Sequence, residues 1–93
     1  MIAIVILTII LSGNTVTTDV TFPKGGSFLC TELHELATGW KPKHCWYAIG
    51  DSTSMTNEDH WPRMPKGKYE GKSTWWNWEG QELVSDVVPF EIK

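Results

Sequence analysis

The chain has 93 residues, with 8 Lys plus Arg against 11 Asp plus Glu and a formal charge of -3. That length supports one domain, whose core is small enough to need a disulfide, a metal or a partner as a staple. No basic cluster is long enough to follow a phosphate backbone, so nucleic acid is excluded as an expected partner.

The first charged side chain is Asp19, and Met1 to Leu11 is apolar except for Thr8. A run of this length is too short for a membrane-spanning helix, which needs about 20 residues, but it suits the apolar core of a signal peptide. Residues 1–17 are therefore expected to be a signal peptide or an N-terminal membrane segment, with residues 18–93 as one small β-rich domain. Ser12, Gly13, Thr15 and Thr17 offer small residues for cleavage, although no Lys or Arg precedes the run. The competing reading is a buried first strand, since dense Ile and Val also suit a strand covered on both faces.

Thr15 to Phe22 is rich in Thr and Val and predicts a strand, stopped by Pro23-Lys24-Gly25-Gly26. Ser27 to Thr31 predicts a second strand, so the two are expected to form a hairpin. Leu33, Leu36, Ala37 and Trp40 fall at the spacing of one helical face, which predicts one helical turn at 31–38, ended by Gly39 and Pro42. His44 to Ile49 predicts a strand, and Gly50 to Gly67 a long polar loop of the kind that often carries function. Lys68 to Glu70 and Ser73 to Glu79 read as two strands divided by Gly71. A turn at Glu79-Gly80-Gln81 then leads to Glu82 to Ile92, where Pro89 places the last strand at an edge or a bulge. The sum is a mostly β fold, a small antiparallel sandwich or open barrel of five or six short strands.

Cys30 and Cys45 are the only cysteines. An even count in a short chain with an export-like start favours a disulfide, which would close a loop of about 15 residues and contribute about 3 kcal/mol. Cys30, His34, His44 and Cys45, with His60 nearby, could instead supply metal ligands, but adjacent His44 and Cys45 fit no usual zinc spacing. No metal and no cofactor are expected.

Catalytic constellations are weak. Glu32 with Glu35, or Glu58 with Asp59, could pair for acid–base work, but carboxylates in turns are usually solvated. Ser52 or Ser54 with His60 and Asp59 could be written as a triad, yet no Gly-x-Ser-x-Gly turn is present. An enzyme is not expected.

The aromatic content carries the functional expectation. There are 6 Trp in the chain. In a strand, Trp76 and Trp78 share one face and Trp75 takes the other, so at least one large ring should meet solvent. Trp40, Trp61, Trp75, Trp76 and Trp78 are the candidate ligand-binding residues, as stacking platforms for sugar or anchors for a protein partner.

Within residues 15–48, the order Val20-Thr21-Phe22, Gly25-Gly26, Phe28-Leu29-Cys30, Gly39-Trp40-Lys41-Pro42 and Trp46 resembles the small chitin- and cellulose-binding modules of bacterial chitinases. The resemblance covers half of the chain, and its pattern departs from the family by lacking the opening tryptophan and inserting Pro23-Lys24. It implies that Trp40 is exposed and stacks on sugar rings while Phe28 and Trp46 pack inside. The expected function is a secreted or extracytoplasmic binding domain whose partner is a polysaccharide. The alternative is a viral, phage or pathogen surface protein that contacts a cell-surface protein. Contact with a membrane is expected only if the N-terminal segment is uncleaved.

Overall fold

The computed structural model describes residues 5–23, 25–47 and 54–93, and within them every regular element is a strand. In chain order these are β1 (Ile6–Ser12), β2 (Thr15–Pro23), β3 (Gly26–Glu35), β4 (Lys43–Tyr47), β5 (Ser54–Trp61), β6 (Gly67–Asn77), β7 (Glu82–Val84) and β8 (Val88–Ile92). They form two antiparallel sheets rather than a barrel. One has the order β1-β2-β5, the other β4-β3-β6-β7, with β8 pairing the first half of β6. The chain crosses between sheets after β2, after β4 and after β5, as in a small antiparallel β-sandwich.

Alternation decides which side chains fill the space between the sheets. In β2, Val16, Thr18, Val20 and Phe22 point inward, and in β3 Leu29, Thr31, Leu33 and Glu35 do the same. Two apolar clusters result. Val5, Leu7, Val20, Phe22, Leu29 and Trp75 fill one end, and Val16, Leu33, Trp61, Met64, Tyr69 and Ile92 fill the other. Ile9 packs against both and joins them into one core. Each fully buried Val or Leu contributes about 1.5–3 kcal/mol of burial energy. Two pairs of buried polar groups are satisfied between neighbouring strands of the same sheet: Trp61 Nε1 donates to Thr18 Oγ1 at 2.8 Å, and the Thr31 and Ser73 hydroxyls meet at 2.7 Å.

Cys30 lies directly opposite Cys45 across β3 and β4, and the two form the expected disulfide. The bond sits on the outer face of its sheet, because the inward positions of the same strands are Leu29, Thr31, His44 and Trp46.

Several expectations are corrected. The predicted hairpin of β2 with β3 does not form, since the two strands belong to different sheets and the turn residues between them serve a crossover. The helical turn expected at 31–38 is strand as far as Glu35, followed by a four-residue hairpin loop, Leu36 to Gly39. Period-two burial of Leu29, Thr31, Leu33 and Glu35 overrides the helical spacing, and Leu36 is left exposed. Much of the expected Gly50–Gly67 loop is β5, an edge strand on β2; the first part of that loop lies outside the described residues, as do Ala48 and Ile49 at the end of the expected His44–Ile49 strand. Polar residues at edge positions hid the strand pattern.

Gly71 does not divide β6. A Cβ at that position would lie 2.7 Å from Ile9 Cδ1 and 3.3 Å from Leu33 and Leu7 methyls, so the glycine lets the two sheets approach inside a continuous strand. The first strand also lies in the fold: residues 6–12 pair with β2 from Ile6↔Thr21 to Ser12↔Thr15, and Val5 and Leu7 are buried.

Candidate binding surfaces

The six tryptophans divide by position. Trp61 and Trp75 are 3% and 5% exposed and sit in the two core clusters, so neither can present its ring to a ligand. Both occupy inward positions: Trp61 faces Val16 across β5 and β2, and Trp75 faces Leu29 across β6 and β3. Trp46 is partly buried against the first cluster. Trp40 and Trp78 are 44% and 69% exposed, and Trp76 is intermediate on the outer face of β6.

Trp40 forms one wall of a cleft of about 310 Å³, lined also by Glu35, Ala37, Thr38, Pro65 and Lys66. This volume is at the small end of ligand sites, which span about 300–1,000 Å³, and suits one ring-sized group. The cleft is built from two loops with fixed ends. On one side, β3 and the strand leading to β4 stay paired past the regular ladder, with Leu33 N donating to Pro42 O at 3.0 Å and Glu35 N donating to Trp40 O at 2.8 Å. Gly39, at φ 79°, closes the intervening loop in the left-handed region that a side chain would strain. On the other side, Met64 N donates to Asn14 O at 2.8 Å and the Tyr69 hydroxyl donates to Pro65 O at 2.7 Å. The second bond, from the start of β6 back to the preceding loop, is a tyrosine corner. Burial, with the Glu35 charge adding to it, pushes the Tyr69 hydroxyl above its ordinary value.

Glu35 is 5% exposed, a carboxylate at an inward strand position that also lines the cleft. Its oxygens accept from Ala37 N at 3.0 Å, from Thr38 N at 2.7 Å and from Thr38 Oγ1. The Thr38 hydroxyl first, then the Ala37 and Thr38 amides, hold its carboxyl below the ordinary value of 4.5 against the opposing effect of burial. The cleft thus combines an aromatic wall, a fixed carboxylate and the Lys66 ammonium.

A second surface lies at the other end of β3. Tyr47, Phe28 and Trp76 are in register on the outer face of neighbouring strands, so three rings form a row. Phe28 contacts Tyr47 edge-on at 5.7 Å and Trp76 at 5.9 Å, and Tyr47 is 79% exposed. The disulfide and Val84 continue the row's apolar surface along the sheet. Sequence reasoning named Trp76 as a candidate without deciding its face, and missed Tyr47 as a surface ring. The signal was present in the alternation Cys45, Tyr47 against His44, Trp46.

The remaining candidates do not assemble chemistry. His60 and Asp59 lie on opposite faces of β5: His60 Nδ1 meets Thr17 Oγ1 at 3.1 Å, while Asp59 contacts His44 Nδ1 across the sandwich. His44 also stacks on Trp61 at 3.6 Å, so these side chains close the open side between β4 and β5. Ser52 lies outside the described residues. Among the described residues, no group of three or more His, Cys, Asp or Glu could hold a metal. No family model, curated protein or solved structure matches this chain.

Proposed function

We propose that this protein is a non-enzymatic binding domain that takes a sugar ring against Trp40. The observation that carries the reading is the cleft itself, lined by a half-exposed indole, by a buried carboxylate and by a loop tied through the Tyr69–Pro65 hydrogen bond. A pyranose offers a C–H face to stack on an indole and hydroxyls that donate to a carboxylate or accept from an ammonium. Glu35 and Lys66 both line the cleft and supply the two charge signs, which supports the reading. The Cys30–Cys45 bond supports an oxidising location outside the cytosol, as expected of an exported domain. Retention of the full chain on chitin, cellulose and a glycan array tests the reading. Trp40→Ala should weaken retention by at least about 30-fold, the size of an aromatic hot-spot loss. Absence of retention on every glycan, or retention unchanged by Trp40→Ala, refutes it.

The row of Tyr47, Phe28 and Trp76 supports a second reading, a protein partner docked on the outer sheet face, because aromatic rings are the commonest anchors of protein interfaces. Cross-linking in the native source should then capture a partner that Tyr47→Ala loses and Trp40→Ala retains. Recovery of the monomer alone would oppose it.

A further inference from the structure

A carboxylate at an inward strand position is costly unless it is hydrogen-bonded, and the partners of Glu35 all come from one short loop. The side chain accepts from Ala37 N, Thr38 N and Thr38 Oγ1. The main chain of the same residue donates to Trp40 O at 2.8 Å and accepts from Gly39 N at 2.9 Å. Trp40 N in turn donates to Thr38 Oγ1 at 3.3 Å, so the threonine that grips the carboxylate also touches the residue carrying the exposed indole. On the opposite side, a Cβ at Gly67 would lie 3.0 Å from Glu35 Oε1, and the absence of a side chain there leaves the carboxylate its space.

We propose that Glu35 is the positioning residue for Trp40: its ionised carboxylate holds the Leu36–Gly39 loop in the shape that presents the indole, and protonation in acid releases the loop. The ligand consequence rests on Trp40 being the binding residue, whereas the release of the loop does not. An ionised carboxylate accepts on both oxygens, which matches the donors aimed at it. The neutral acid carries a proton of its own on one oxygen, and that oxygen then faces an N–H or O–H donor with reduced accepting power. Other titratable groups around Glu35 are few. His34 precedes it on β3, Tyr69 faces it from β6, and Lys66 shares the cleft from the loop before β6. β8 reaches this corner through Phe90, stacked on Tyr69, while its Glu91 lies opposite Lys68 on the outer face. Because the folded group is held below 4.5, its hydrogen bonds are fully present above pH 4.5 and are lost as pH falls through the lower folded value.

The test follows amide protection factors and the Trp40 indole N–H resonance of the full chain from pH 6 downward until the β6 amides, the reference for global folding, lose their own protection. Ala37 and Thr38 protection should drop at least 10-fold below pH 4.5, with the Trp40 resonance moving in step while β6 stays protected. Glu35→Gln should show the open loop at pH 6 and no acid transition. Thr38→Val, which removes the hydroxyl and keeps the amide, should move the transition to higher pH. On any glycan retained at pH 6, affinity should fall at least 10-fold across the same transition. Loop protection that ignores pH, an acid transition that survives Glu35→Gln, or glycan affinity equal on both sides of the transition overturns the proposal. A loop and indole transition that follows Glu35 in a protein that retains no glycan supports the positioning role and sinks the sugar reading instead.

Discussion

Removing residues 1–17 separates two roles for the N-terminus, because the same residues read as an export segment and as the first strand of the sandwich. The cut takes away buried Val5, all of β1 with buried Leu7, and the first three residues of β2 with buried Val16. Three such side chains carry about 5–9 kcal/mol of burial energy at about 1.5–3 kcal/mol each. A domain of this size has a total stability of about 5–14 kcal/mol at about 0.05–0.15 kcal/mol per residue. The loss is therefore most of what the fold has. It is also local to the join between the core clusters, since Ile9 leaves with the strand and Gly71 then faces an empty site. Urea unfolding followed by near-UV circular dichroism compares the full chain with residues 18–93. The full chain should unfold cooperatively, whereas residues 18–93 should show no cooperative transition and no fixed aromatic signal. A shortened chain that unfolds cooperatively within about 2 kcal/mol of the full one would refute the assignment of β1 to the core, with that limit set by the loss of a single buried side chain. The mature N-terminus, read by intact mass from the native source, should accordingly lie before Ile6.

Two further outcomes follow from the buried groups. Trp61→Phe should cost more than Trp75→Phe, because the Trp61 indole donates to Thr18, whose hydroxyl is fully buried, while the Trp75 Nε1 is buried without a hydrogen-bond partner among the described residues. Stranding the Thr18 hydroxyl adds about 1–3 kcal/mol to the first variant, and equal unfolding midpoints for the two would contradict this difference. Reducing the Cys30–Cys45 bond should lower stability by about 3 kcal/mol through the released loop, measured by chemical unfolding with and without reductant. A midpoint unmoved by reduction would contradict that contribution.

Strand content was legible wherever one face of a strand is apolar. Val16, Val20 and Phe22 alternate with polar residues and announce β2, and Cys30 with Cys45 announces a bridge between neighbouring strands. β5 was illegible because it is an edge strand whose positions 58–60 are Glu, Asp and His, ahead of the buried Trp61 at its end. The split at Gly71 and the helical turn at 31–38 failed for one shared reason. Local signals, a glycine in one case and a four-residue repeat in the other, were overruled by packing between sheets that sequence neighbours do not reveal. The pairing of β2 with β5 rather than β3 is likewise a long-range choice, made by burying Trp61 against Val16 and bonding it to Thr18.

For the tryptophans, residue type alone could not separate core from surface. Trp61 and Trp40 have the same side chain, yet one fills the sandwich and the other stands at a loop end. The distinguishing signal lies in the neighbours. Glu35 continues the inward series Leu29, Thr31, Leu33, so a carboxylate is directed where an apolar group would be expected, and Thr38-Gly39-Trp40 follows at once. A charge at an inward position demands donors, the nearest donors are the amides of the next loop, and that loop ends in an aromatic ring. Read in this order, Glu35 points to Trp40 as one of the two exposed tryptophans, the other being Trp78 in the turn after β6. The same series separates the two surfaces in space. Phe28 and Glu35 are seven residues apart on one strand, about 23 Å at about 3.3 Å per residue. Substitutions in the aromatic row and in the cleft therefore share no partner, and their effects on a bound ligand should add independently unless one partner spans both.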